Sequence, residues 1–156
     1  MLRSMINSQL AAFLQEGLAI HIGTRNERLE PNGARAVALT VEADGIHVIV
    51  YVAKVAVTRL MPDLESNGHA AVTFVRPVDE RASQLKGTFV SARAAKASER
   101  DWVMSQWDGF LRSLEVIGIP RTNLTKWATW PAVAIRLRTT ALFDQTPGPH
   151  AGTPLP

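Results

Sequence analysis

Ile6, Leu10, Phe13 and Leu14 fall on one face when residues 5 to 16 are wound as a helix, and Gly17 follows where a left-handed terminal residue is expected. The period then drops to two. Ile20 and Ile22 alternate with His21 and Gly23, and the polar stretch from Arg25 to Gly33 ends that strand, with Pro31-Asn32-Gly33 as its turn signal. From Arg35 to Ala43, Val37, Leu39 and Val41 share one face while Ala36, Ala38 and Thr40 share the other. Asp44-Gly45 supplies the positive φ angles of a tight hairpin, and Ile46, Val48, Val50 and Val52 begin the returning strand.

Between Thr58 and Gly68 the spacing predicts a short helix, with Pro62 in its first turn and Gly68 at its end. Residues 69 to 76 and 84 to 94 read as two strands joined by a polar loop around 77 to 80. Ser98 and Asp101 have the spacing of a capping box, and Val103, Trp107, Phe110, Leu111, Leu114 and Ile117 then repeat at helical intervals to Gly118. A last strand, 132 to 143, follows Trp130-Pro131, and the Pro/Gly-rich tail from 146 to 156 is expected to be irregular. Six strands linked mainly through hairpins predict a mainly β (α+β) antiparallel barrel, with an N-terminal helix, a short helix after strand 3 and a longer one before the last strand. Neither GxGxxG nor GxxxxGK is present, which removes the usual dinucleotide and nucleoside triphosphate readings.

With 156 residues, 46% of them apolar and 20% charged, the chain suits one domain spanning 1 to 156 around one sizeable core. It has no cysteine, so disulfides, thiolate metal sites and a cysteine nucleophile are excluded, and a reducing, cytoplasmic setting is expected. Polar residues interrupt the first 17, and no run reaches the length of a membrane span. The net charge of +3 is spread over single arginines interleaved with acids, which argues for a mildly basic surface and against nucleic acid. His21, His47, His69 and His150 form no HxH or HExxH pattern, so no metal is assigned. Trp107 fits the apolar stripe of its helix, whereas Trp127 and Trp130 stand where a flat ligand would stack, although core or dimer contact is the simpler role.

Five segments appear in a distinctive order: Ile22-Gly23-Thr24-Arg25, Arg35-Ala36-Val37-Ala38-Leu39, Asp44-Gly45, Asp63-Leu64-Glu65-Ser66-Asn67-Gly68 leading into Ala70-Ala71-Val72-Thr73-Phe74, and Gln84-Leu85-Lys86-Gly87. Over roughly residues 10 to 95 this order resembles the FMN-binding split barrels of the pyridoxamine 5′-phosphate oxidase superfamily. The closing Phe143-Asp144-Gln145-Thr146-Pro147-Gly148-Pro149 is similar to the tail of poorly characterised members. The resemblance implies a six-stranded antiparallel split barrel and a homodimer with FMN in a groove at the interface. It further implies an FMN-dependent oxidoreductase acting on an unidentified small substrate. The alternatives are a non-enzymatic binder of flavin, haem or another flat ligand, a deazaflavin-dependent reductase, and a purely structural dimer.

Carried over residue by residue, the resemblance implies that Arg35 and Thr58-Arg59 meet the FMN phosphate, where arginine supplies a planar fork for two phosphate oxygens. Relatives often carry a second basic residue directly after Arg59; this chain has Leu60, and Lys54 is the nearest substitute. Backbone groups of Val37 and Ala38 would approach the ring, with the small Ala36 and Ala38 leaving room and Thr40 adding a hydroxyl. Gln84 is the polar partner for the ring, and Lys86 shares its face of the strand. Each of these side chains also has a plain role as an ordinary exposed residue of a sheet surface.

Overall fold

Residues 4–156 are described by the structure, a computed structural model; residues 1–3 of the expected domain lie outside them. Asn7 starts helix α1 (Ser8–Leu14) by accepting the Leu10 N–H on its side chain at 2.9 Å. Seven strands follow: β1 (Ala19–Arg25), β2 (Pro31–Ala36), β3 (Ala38–Val41), β4 (His47–Ala53), β5 (His69–Val75), β6 (Ala82–Ala94) and β7 (Ala132–Asp144). Two short helices, α2 (Lys54–Val57) and α3 (Met61–Ser66), lie between β4 and β5, and α4 (Arg100–Val116) lies between β6 and β7. Among the described residues no helix is long and apolar enough to cross a membrane.

All seven strands form one antiparallel sheet in the order β2-β1-β5-β6-β7-β4-β3. Its two edge strands are separated in the chain by Val37 alone, so the sheet must curl until its edges meet. This corrects the expected strand count from six to seven. The segment read as one strand from Arg35 to Ala43 divides at Val37, because its first part pairs with β1 and its second with β4. Val37 bridges the change by donating its N–H to the Tyr51 carbonyl at 2.7 Å.

Pro31-Asn32-Gly33 also differs from expectation. It is strand, paired with Arg25, Thr24 and Gly23, and the reversal lies earlier. There the Asn26 side-chain oxygen accepts the N–H groups of Arg28 and Glu30, and Leu29 takes φ 63°. At the start of α4 the Ser98/Asp101 capping box is replaced by Glu99, whose carboxylate accepts the Lys96 N–H at 2.7 Å and a two-pronged pair from Arg93. The β5–β6 pairing forms as expected, and Asp44-Gly45 joins β3 to β4 with positive φ at Gly45 (63°) and not at Asp44, whose side chain instead accepts the Ile46 and His47 N–H groups. The tail folds back so that Phe143 bridges Pro154 and Leu155 donates to the Leu142 carbonyl.

Alternation within the curl produces two apolar regions. Ile20, Ile22, Val48, Val50, Phe74, Leu85, Ile135 and Leu137 fill the inside, together with Leu60 and Leu64. Outside, Ala38, Tyr51, Ala132 and Ala134 pack under Val103, Trp107, Phe110 and Leu114 of α4. Asp63, buried on α3, accepts the Thr24 hydroxyl at 2.7 Å and the Asn32 amide at 2.8 Å, fastening that helix to β1 and β2. These two bonds hold its carboxyl below the usual carboxylate pKa.

Helix α4 is held by backbone mimicry. The buried Gln106 accepts the Leu39 N–H at 3.0 Å and donates to the Leu39 carbonyl at 2.6 Å, taking the place of a neighbouring strand at the edge of β3. Gln15 does the same for the Val41 N–H at 2.9 Å. Close by, a Cβ on Gly109 would lie 2.8 Å from the Glu16 carbonyl oxygen, so only glycine allows the end of α1 to meet α4 there. Gln106→Leu leaves both buried Leu39 groups unpaired and is expected to cost roughly 2–5 kcal/mol. The cost is read as a lower urea midpoint at unchanged slope.

Candidate functional site

Helix α4 covers the outer face of β3, β4 and the end of β7, and among the described residues no helix packs across the middle of the outer face of β1, β5 and β6. On that open face the register sets Arg35 beside His21, His21 beside Thr73 and Thr73 beside Gln84, one polar side chain from each of four strands. The Gln84 amide donates to the Thr73 hydroxyl at 3.2 Å. In the neighbouring row Gly33, Gly23 and Ala71 stand side by side and end at Lys86. Two rows, one polar and one nearly without side chains, make a flat shelf.

Three adjoining clefts run along this face. The first, of about 520 Å³, lies between β2, α2 and the segment after α4, and is walled by Arg35, Arg59, Trp107, Lys126 and Trp127. A second, of about 510 Å³, shares Gly33, Ala34 and Arg35 with it and adds His21, Thr73 and Gln84. The third, of about 580 Å³, shares Gly23 and Ala71 with the second and reaches Arg25, His69, Lys86 and Thr88. Together they form one trough.

Its charge is one-sided. The chain has 14 acidic residues, yet none lines any of the three clefts, whereas five Lys/Arg side chains do. Arginines 76, 93, 112, 121 and 136 are all matched to carboxylates. Among the described residues, Arg25, Arg35, Arg59, Lys86 and Lys126 take part in no such pair. A concave surface lined by one sign of charge focuses field and favours anions.

Arg35 stands where the first two clefts meet. Its guanidinium lies 4.3 Å from the Trp127 ring centroid and 5.0 Å from that of Phe110, in place of a carboxylate. Burial lowers its pKa, but an arginine stays charged. Trp127 in turn packs 6.2 Å from Trp107. Burial, and then the charge of Arg35, push the His21 imidazole below its ordinary pKa, so it is neutral at pH 7.

Of the sequence-derived candidates, Arg35, Val37 and Arg59 line the first cleft together, and Gln84 joins Arg35 in the second. Lys86 lies apart, in the third cleft. Ala38 is fully buried under α4 and presents no side chain to the trough. Lys54 and Thr58 are exposed at the two ends of α2 and line none of the three clefts. Thr40 is taken by the Trp102 indole N–H at 2.9 Å. Leu60 is fully buried in the inner core, so position 60 faces away from the trough. Lys126 has no role in the sequence reading, and neither Arg25 nor His21 is assigned a site role there; all three enter the trough through the curl of the sheet and the segment after α4.

No protein-family model and no curated protein matches this chain. Solved structures do. An F420 reductase superposes with a TM-score of 0.55 at 16% identity, covering 84% of this chain and 94% of that one. A putative pyridoxamine 5′-phosphate oxidase from Lactobacillus delbrueckii reaches 0.55 at 10% identity, covering 92% and 97%. An FMN-binding protein from Syntrophomonas wolfei reaches 0.51 at 10% identity, covering 85% and 82%. The fold is that of the pyridoxamine 5′-phosphate oxidase-like split barrels. In this split barrel the trough lies on the outer wall, next to the helix that closes the other half.

Removing the Arg35 charge takes away one of the two influences on His21. An NMR pH titration is expected to place the His21 midpoint below 6.5 in the native chain and to move it upward in Arg35→Ala.

Proposed function

We propose that the trough binds FMN and that the protein is a flavin-dependent oxidoreductase acting on a small substrate. The observation that carries this reading is the pairing of a flat, nearly side-chain-free shelf with a cationic cleft at one end and no acid along either. Arg35, Arg59 and Lys126 would hold the phosphate, each with charge-assisted donors. Lys126 would supply the basic group that position 60 does not, since Leu60 is committed to the core.

Gly23, Gly33 and Ala71 would face the ring plane, while Gln84 and the neutral His21 would reach its edge. There the Gln84 amide would donate a hydrogen bond, and the His21 imidazole would donate or accept one without adding charge. Bound FMN would supply the transfer of a hydride or electrons between the substrate and an acceptor.

The names of the structural neighbours, an FMN-binding protein and a putative pyridoxamine 5′-phosphate oxidase among them, support a flat phosphorylated cofactor, and the F420 reductase adds a deazaflavin as a second reading. The open side of the trough is the place for a second copy, and a homodimer of about twice 17.1 kDa is expected by light scattering.

The visible spectrum of the freshly purified or reconstituted protein is expected to show the bands of oxidised flavin; a deazaflavin or haem spectrum would replace FMN in this scheme. Arg59→Ala is expected to weaken FMN binding about ten- to a hundredfold, as loss of a charged hydrogen bond does. Lys86→Ala should weaken it much less. Equal losses, followed by flavin fluorescence, would remove the phosphate assignment.

A further inference from the structure

The third cleft is not needed for a cofactor whose phosphate sits beside Arg59, yet it carries two cations of its own, Arg25 and Lys86. Arg25, from the last position of β1, His69, from the first position of β5, and Lys86, from β6, converge on a depression of about 580 Å³. Gly23, Ala70, Ala71 and Gly87 line it with Thr88 and Thr140, while Thr24 and Asn32, which also line it, are bonded to Asp63. None of its lining residues is acidic, and neither Arg25 nor Lys86 is matched to a carboxylate among the described residues. The Arg25 guanidinium makes only a 3.3 Å bond to the Asn26 carbonyl, and Lys86 lies 5.1 Å from the centroid of the Phe143 ring. Elsewhere on the surface Arg76, Arg93, Arg112, Arg121 and Arg136 hold carboxylates at 2.7 to 3.0 Å.

We infer that this cleft is a second anion subsite, in which Arg25, His69 and Lys86 receive the carboxylate or phosphate of the reacting small molecule. The inference rests on the cofactor reading for its meaning, because it assigns the two ends of one trough to two partners: the cofactor phosphate at Arg35, Arg59 and Lys126, and the acid group of the substrate beyond the shelf. The intervening Gly23 and Ala71, shared by the second and third clefts, leave no side chain between the shelf and the subsite. A substrate anchored there lies alongside the shelf without crossing a wall. Neutral molecules of the same size lose this anchor, so the substrate class is an acid.

The test uses the full chain and two probes, inorganic phosphate and acetate, titrated separately at constant ionic strength with sodium chloride as the balancing salt. Backbone amide NMR signals are followed in protein saturated with FMN. Saturable shifts at Arg25, His69 and Lys86 are expected, and the tighter of the two probes tells a phosphate ester from a carboxylate. Arg25→Ala/Lys86→Ala is expected to weaken that probe at least tenfold, with far less effect on FMN than Arg59→Ala. Lys86→Glu, a change at an exposed position, gives the same loss should the double variant fail to fold. Shifts that chloride reproduces, or that persist in Lys86→Glu, would overturn the subsite while leaving the cofactor reading intact. Saturable phosphate or acetate binding at these residues in a protein that takes up no FMN would overturn the cofactor reading and leave the subsite standing.

Discussion

The single residue between β2 and β3 governs the shape of the molecule. Those two strands are the opposite edges of the seven-stranded sheet, and a link of one residue cannot span an open sheet, so curvature is imposed by connectivity before any side chain is considered. Curling sets Ile20, Val50, Phe74 and Leu137 on the concave side, where they bury one another, and leaves the convex side to be shared. Helix α4 takes one half of it. The other half keeps its polar row and its glycines in the open, and that division is what creates a trough with one tall wall and one free side.

The charge of the trough follows from what is missing around it. Outside, five arginines are matched to carboxylates, as with Arg136 and Glu42 at 2.7 Å or Arg121 between Glu115 and Asp108. Such pairs spend their hydrogen bonds on each other and have little left for a ligand. Within the trough the acids are absent, and Arg35 rests instead on aromatic faces, which stabilise a guanidinium without occupying its planar fork. A cation kept this way stays available to phosphate.

Much of the architecture was legible in the sequence, and the reasons for the gaps are specific. Asp44-Gly45, the apolar stripe of α4 and the alternating β5 and β6 segments are local signals with local outcomes. Pro31-Asn32-Gly33 misleads, because its turn propensity is overridden by pairing with β1 while Asn26 makes the reversal five residues earlier. The break at Val37 is invisible to alternation, which continues on either side of it. Arg35, Arg59 and Gln84 were reached through the resemblance, and the structure brings Arg35 together with each of the other two. Lys54 and Thr58 looked well placed by their distance along the chain, but α2 turns both outward. Lys126 had no signal, and Arg25, though part of Ile22-Gly23-Thr24-Arg25, was given no site role, since their neighbours in space come from remote strands.

The crossing of α1 and α4 at Gly109 has a reach beyond packing. Trp107 and Phe110, which flank that glycine, help form the tall wall beside Arg35. A single methyl group added at position 109 would meet the Glu16 carbonyl and force the two helices apart, and the aromatic wall would travel with α4. The bite of the trough is therefore gauged at a point no ligand ever touches.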